Sequence, residues 1–205
     1  MAASVADSPA PLTRIYLAGP EVFLPDPFTI GERKKKLCAD YGFVGLYPMD
    51  NEADLAGLPP REAALRIGRL NEEMIRGCDA VVANITPFRG PSADVGTAYE
   101  MGFAAGLGKV VCAYTNVAAP FADRTAAHFG GRVTRDAAGR LRDPDGLAVE
   151  DWGLVDNLML ESCVVHSGGR LVVRSVAAAD VYTDLGGFEE CLAALRALRP
   201  APRRP

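Results

Sequence analysis

Short apolar runs alternate along the chain with longer stretches whose apolar positions recur every three or four residues. The runs "RIYLAG" (14–19), "FVGLYP" (43–48), "DAVVANI" (79–85) and "KVVCAY" (109–114) are apolar throughout rather than at every second position. That pattern predicts strands buried on both faces. In "PREAALRIGRLNEEMIRGC" the residues Ala64, Ile67, Leu70, Met74 and Ile75 recur at helical spacing, with Pro60 near the start and Gly77 at the end. Proline near the first turn and glycine past the last are the expected punctuation of a helix. "LVDNLMLESCV" resumes helical spacing, "RLVVRS" supplies a fifth strand and "GFEECLAALRAL" a closing helix. Strand, helix, strand, helix implies an α/β fold with a mainly parallel sheet of roughly five strands and right-handed crossovers. Residues 117–150 break the rhythm: "GGRVTRDAAGRLRDPDG" is polar and glycine-rich, and reads as a surface excursion with a hairpin turned at "DAAG". Residues 1–12 and 200–205 read as loose tails around one domain spanning 13–199.

Composition narrows the functional classes. A chain of 205 residues, 49% hydrophobic and 23% charged, supports one core. A net charge of −4 and a pI near 5.3 argue against a nucleic-acid or anionic-membrane surface. The one basic run, "RKKK" at 33–36, is expected on the wet side of a helix. No apolar stretch has the length of about 20 residues that crosses a bilayer, and "MAASVADSPAPLT" lacks the features of a secretory signal. A cytoplasmic location is the expectation. Cys38, Cys78, Cys112, Cys163 and Cys191 are odd in number and scattered, which favours buried free thiols. Neither they nor His128 and His166 have metal-ligand spacing, so no metal and no cofactor are expected.

Ligands of open α/β sheets bind at the carboxyl ends of the strands. Here those ends carry "AGPEVF", "YPMDNE", "NITPFRGPSAD" and "YTN". The first turn has no phosphate-cradling glycine pattern. "GLGK" at 106–109 ends a helix and opens a strand, the reverse of a phosphate loop, so its glycines read as helix terminators. No Ser or Cys triad is apparent. What stands out is Glu100, inside the apolar, glycine-rich "SADVGTAYEMGFAAGLGK", because an uncompensated buried carboxylate is costly. Asp94 lies six positions earlier, which on one continuous helix would put the two acids about 120° apart. They converge only if Asp94 sits in the entering loop or first turn, and Pro91 and Ser92 suit that boundary, with serine as N-cap. Gly96, at i−4 from Glu100, leaves room in front of the carboxylate, whereas Gly102 and Gly106 fit close helix-to-sheet packing. The helix dipole would favour the ionised form of Glu100, as a nucleophile requires.

The segments "IYLAGP" (15–20), "YPMDNE" (47–52), "CDAVVANI" (78–85), "DVGTAYEMGFAAGLGK" (94–109) and "DNLM" (156–159) together resemble the nucleoside 2-deoxyribosyltransferases. The resemblance implies a flavodoxin-like three-layer sandwich and a role in nucleotide salvage. It implies that Glu100 attacks the anomeric carbon of a 2'-deoxynucleoside, giving a covalent deoxyribosyl-enzyme from which a second nucleobase collects the sugar. By the same matches Tyr16 orients the carboxylate, and Asp79 handles protons on the leaving and entering base. Asp94 binds a sugar hydroxyl, and Asn157 reaches into a neighbouring subunit's site, implying a homo-oligomer. Gly19, Phe23, Asp50, Asn51, Glu52, Asn84 and Gly96 complete the expected substrate contacts, with Phe23 as a stacking residue. Glu52 stands where family members often carry glutamine. The form of "NITPFRGPSADVGTAYE" leans toward purine-using members.

Three activities stay open at this point. Transfer and hydrolysis differ only in whether a base or water captures the intermediate. Relatives that hydrolyse deoxynucleoside 5'-monophosphates tend to carry serine where this chain has Asp94, and an aspartate would repel a phosphate dianion while accepting from a free hydroxyl. A non-catalytic nucleotide-sensing module on the same fold is the third reading.

Overall fold

The structure, a computed structural model, describes residues 13–51 and 54–198. Five parallel strands, β1 (Arg14–Ala18), β2 (Val44–Leu46), β3 (Ala80–Asn84), β4 (Val110–Thr115) and β7 (Leu171–Val173), form one sheet in the order β2-β1-β3-β4-β7. β1 and β3 are paired from Ile15↔Ala80 to Ala18↔Ala83, and β3 is buried at every position, which explains its uninterrupted apolar sequence.

Helices cover both faces. On one face α1 (Pro27–Asp40) and α6 (Gly186–Ala197) bury Ile30, Cys38, Phe188, Cys191, Leu192 and Leu195 against Ile15, Leu17 and Val82. On the other, α2 (Pro60–Arg76), α3 (Val95–Gly106) and α5 (Leu158–His166) bury Ile75, Met101, Ala104, Leu160 and Val164 against Tyr16, Val81 and Val111. This is the expected α/β three-layer sandwich. The chain passes from β1 outward to β2 and then back across to β3, so the order reverses between β1 and β3, where the carboxyl ends of an open sheet form a crevice.

The excursion contains the expected hairpin, with β5 (Thr134–Arg135) antiparallel to β6 (Leu141–Arg142) around a turn closed by Gly139 at φ 77°. It also contains α4 (Phe121–His128), a helix where the sequence predicts only a surface excursion. Three further expectations need correction. The "RKKK" run is not uniformly wet: Lys34 has no solvent exposure, because it lies on the inner stripe Ile30, Lys34, Cys38 of α1. Gly102 and Gly106 are not close-packed, since a Cβ at either would meet nothing within 4 Å. The N-cap of α3 is Asp94, two residues after Ser92. The remaining helix limits agree, with α2 ending at Gly77, and α3 followed by Gly108 at φ 74°. All five cysteines are free thiols, four of them buried. No helix among the described residues is long and apolar enough to cross a membrane.

Candidate active site

Asp94 begins the site by ending a loop. Its carboxylate accepts from the Thr97 backbone N–H at 2.9 Å and from the Thr97 hydroxyl at 3.1 Å, so the helix starts one residue later and Glu100 falls in the second turn. The loop before it is tied down by buried Asp156, which accepts from the Ser92 hydroxyl, from Ala93 N at 3.0 Å and from Arg124 Nη2 at 3.2 Å. That loop geometry is what lets two acids six positions apart border one cavity.

Glu100 accepts a 2.5 Å hydrogen bond from the hydroxyl of Tyr16, a fully buried residue in the middle of β1. Burial and the charge of Glu100 push the Tyr16 phenol far upward, so it stays a protonated donor. Burial also raises Glu100 itself, to about 7; the Tyr16 hydrogen bond opposes the rise and the nearby Asp94 charge adds to it. The expectation that the helix dipole would keep this group readily ionised is thus corrected: desolvation outweighs it. No cation pairs with Glu100 among the described residues.

The carboxylate borders two adjoining cavities. One, of about 140 Å³, lies at the carboxyl ends of β1 and β2 and is lined by Gly19, Val22, Phe23, Pro48, Asn71, Asp94, Gly96, Thr97 and Glu100. The other, of about 200 Å³ between α2 and α3, shares Asn71, Gly96 and Glu100 and adds Gly68, Glu72, Ile75 and Tyr99. Gly96 therefore opens the space in front of Glu100 as its position suggested. Phe23 lines the first cavity, stacks on Phe88 at 5.3 Å and carries the Arg89 guanidinium 5.0 Å above its ring.

The structure brings Gly19, Phe23, Asp94, Gly96 and Glu100 to the cavity, with Tyr16 behind the carboxylate, and separates the rest. Asp79 precedes the central strand β3, at the amino-terminal end of the strands and so at the end of the sheet opposite the cavity, where its carboxylate accepts from Thr13 N at 2.7 Å and Arg14 N at 2.8 Å. It fastens the start of β1 and has no access to a sugar beside Glu100, so the proton-handling role is withdrawn from it. Asp50 closes its own turn by accepting from Tyr47 N and is paired with Lys35 at 2.8 Å. Asn84 is fully buried, donates to Glu21 at 3.0 Å and accepts from Thr86 N, which leaves no face toward the cavity. Asn51 acts one step back: its amide donates to Pro48 O and to Asn71 Oδ1 at 3.1 Å. Glu52 lies outside the described residues. Asn157 caps α5, donates to Glu150, and lines a separate groove of about 660 Å³ between α3 and α5.

Asn71 was missed by sequence reasoning although it borders both cavities. A signal existed, since Asn71 is a polar residue four positions before buried Ile75, on the inward stripe of α2.

The family model for nucleoside 2-deoxyribosyltransferases matches residues 15–159, a span that holds every side chain just described at the cavity. The chain belongs to that family. Among solved structures it is similar to a 2-desoxiribosyltransferase from Leishmania mexicana, 32% identical, covering 91% of this chain and 98% of that one with a TM-score of 0.61. Among curated proteins it is 30% identical over 169 residues to an uncharacterized protein of Schizosaccharomyces pombe, covering 78% of this chain and 80% of the relative. The fold is accordingly that of a deoxyribosyltransferase, and membership of the family indicates a glycosyl-transferring enzyme.

Proposed function

We propose that the protein exchanges nucleobases on 2'-deoxynucleosides by a retaining double displacement, with Glu100 as the nucleophile. The observation that carries this reading is the Tyr16–Glu100 pair: a carboxylate with a hydroxyl donor, no cation and an open cavity in front of it. In the first step a Glu100 oxygen bonds to C1' as the C1'–N bond breaks, its electron pair leaving with the base, which then takes up a proton. In the second, a nitrogen of the incoming base attacks C1', the ester bond breaks, Glu100 returns as carboxylate and the new base loses a proton. Tyr16 holds the attacking oxygen in line. Asp94 accepts from a sugar hydroxyl, and Phe23 offers a face for the base, with purines favoured. With Asp79 withdrawn, Asp94 and Glu72 are the carboxyls that border the cleft beside Glu100, and the base proton is exchanged with one of them or with water.

Asn157 belongs to a different surface. The groove it lines is apolar, and Val95 and Met159 on its walls are 83% and 65% exposed. We assign this face to a second copy of the chain, which brings Asn157 toward a neighbouring site; light scattering of the purified protein tests the assignment.

Incubation with 2'-deoxyinosine and adenine separates the activities. Deoxyadenosine marks transfer, which is the expected result. Hypoxanthine without deoxyadenosine marks hydrolysis, and an unchanged mixture supports a sensing module.

A further inference from the structure

Under the turn that walls the Glu100 cavity lies a second acid, Glu21, with no solvent exposure. It forms an ion pair with Lys34, equally buried, and its Oε1 also accepts from Asn84 Nδ2 at 3.0 Å and from the Tyr114 hydroxyl at 2.8 Å. The Lys34 ammonium lies 5.6 Å from the Tyr114 ring centre and 5.2 Å from that of Phe188. Four elements thus converge on one carboxylate: the turn after β1, helix α1 and the ends of β3 and β4. A buried ion pair is a poor means of gaining stability, because desolvation of both charges offsets their attraction, and apolar residues of similar volume often serve as well or better. What the pair does supply is a fixed direction for the Glu21 side chain.

That direction bears on the cavity. The other carboxylate oxygen, Oε2, lies against Gly19, close enough that a Cβ there would stand 2.0 Å from it. Gly19 and Phe23 bracket Glu21 in the 3-10 turn Pro20–Phe23, and both line the space in front of Glu100. We propose that the Glu21–Lys34 pair is a positioning device, which sets the Gly19–Phe23 turn against the sugar and base and is kept for that purpose rather than for stability. Its effect on turnover rests on the exchange reaction proposed above; its effect on the turn does not.

The test is the double variant E21Q/K34M in the full chain, which removes both charges, keeps an acceptor for Asn84 and Tyr114, and leaves no lone buried ion. The expected result is a melting temperature at or above that of the wild type together with a fall in kcat of about 10- to 100-fold toward deoxynucleosides. Amide exchange in residues 21–24, where Leu24 N donates to Glu21 O, should quicken about tenfold while β3 and β4 keep their protection. Wild-type kcat with wild-type protection of the turn would overturn the proposal. So would a double variant that no longer folds, since the pair would then be an element of stability. If the wild type proves inert toward deoxynucleosides, the functional reading fails, and the exchange rates alone decide the positioning claim.

Discussion

Two acids at the carboxyl end of the sheet are treated in opposite ways. Glu21 is sealed in the core and matched by an ammonium group, an amide and a phenol. Glu100 borders open space and is matched by one neutral hydroxyl. Each carboxylate needs compensation for leaving water. The first receives three partners on its Oε1, an ammonium among them, and becomes a fixed part of the frame, whereas the second receives only enough to be aimed. Incomplete compensation raises its proton affinity toward neutrality and leaves an oxygen free to form a bond. The contrast teaches that burial alone does not mark a functional acid; burial without a counterion, facing a cavity, does.

The sharpest way to break the comparison is Glu100→Gln. Loss of transfer and hydrolysis by at least about 10³-fold is expected. The variant should also be more thermostable than the wild type at pH 8, which melting curves across pH will check. The sign follows from a folded pKa of about 7 against an ordinary 4.5. The stabilising protonated form is fully present below pH 4.5, and its contribution is lost as the pH rises through 7, so the wild type carries a cost at pH 8 that glutamine lacks.

Lys34→Met on its own strands the Glu21 charge and should cost about 3 to 5 kcal/mol by denaturant unfolding. A loss near zero would mean that the two acids are not differently treated after all. Tyr16→Phe should lower kcat/KM by about 10- to 100-fold. It should also move the acidic limb of the pH profile, set near 7 by ionisation of Glu100, to higher pH, because the hydroxyl is what opposes the upward shift. The smallest effect belongs to Asp79→Asn, which weakens the two backbone hydrogen bonds at the start of β1. About 1 kcal/mol of stability should be lost with turnover within about twofold of the wild type, and a large fall in turnover would restore Asp79 to the chemistry.

Much of this frame is legible in the chain because strands buried on both faces carry continuous apolar runs, and glycines end the helices. Glu100 is visible for a different reason, as a charge inside an apolar run, whereas Glu21 is not, because it follows a strand in a turn that looks like any polar loop. What failed is instructive. Asp79 sits in a matching segment, yet it precedes a strand, and ligands collect beyond the carboxyl ends; position relative to the strand outweighs the match. Lys34 hides in a basic run that looks solvated until the stripe from Ile30 to Cys38 is followed through it. Asn71 hides in the reverse way, as a polar residue on an inward stripe. Asn84 ends a strand as a ligand-binding residue would, and only the structure reveals that its amide is spent on Glu21.

The central claim is that Glu100 itself takes the sugar, and the direct measurement is mass spectrometry of enzyme quenched in acid during turnover of 2'-deoxyinosine. One 2-deoxyribosyl unit on the peptide that carries Glu100, absent from Glu100→Gln, is the predicted result. Unmodified enzyme throughout a demonstrated turnover, or the sugar on another peptide, would contradict it.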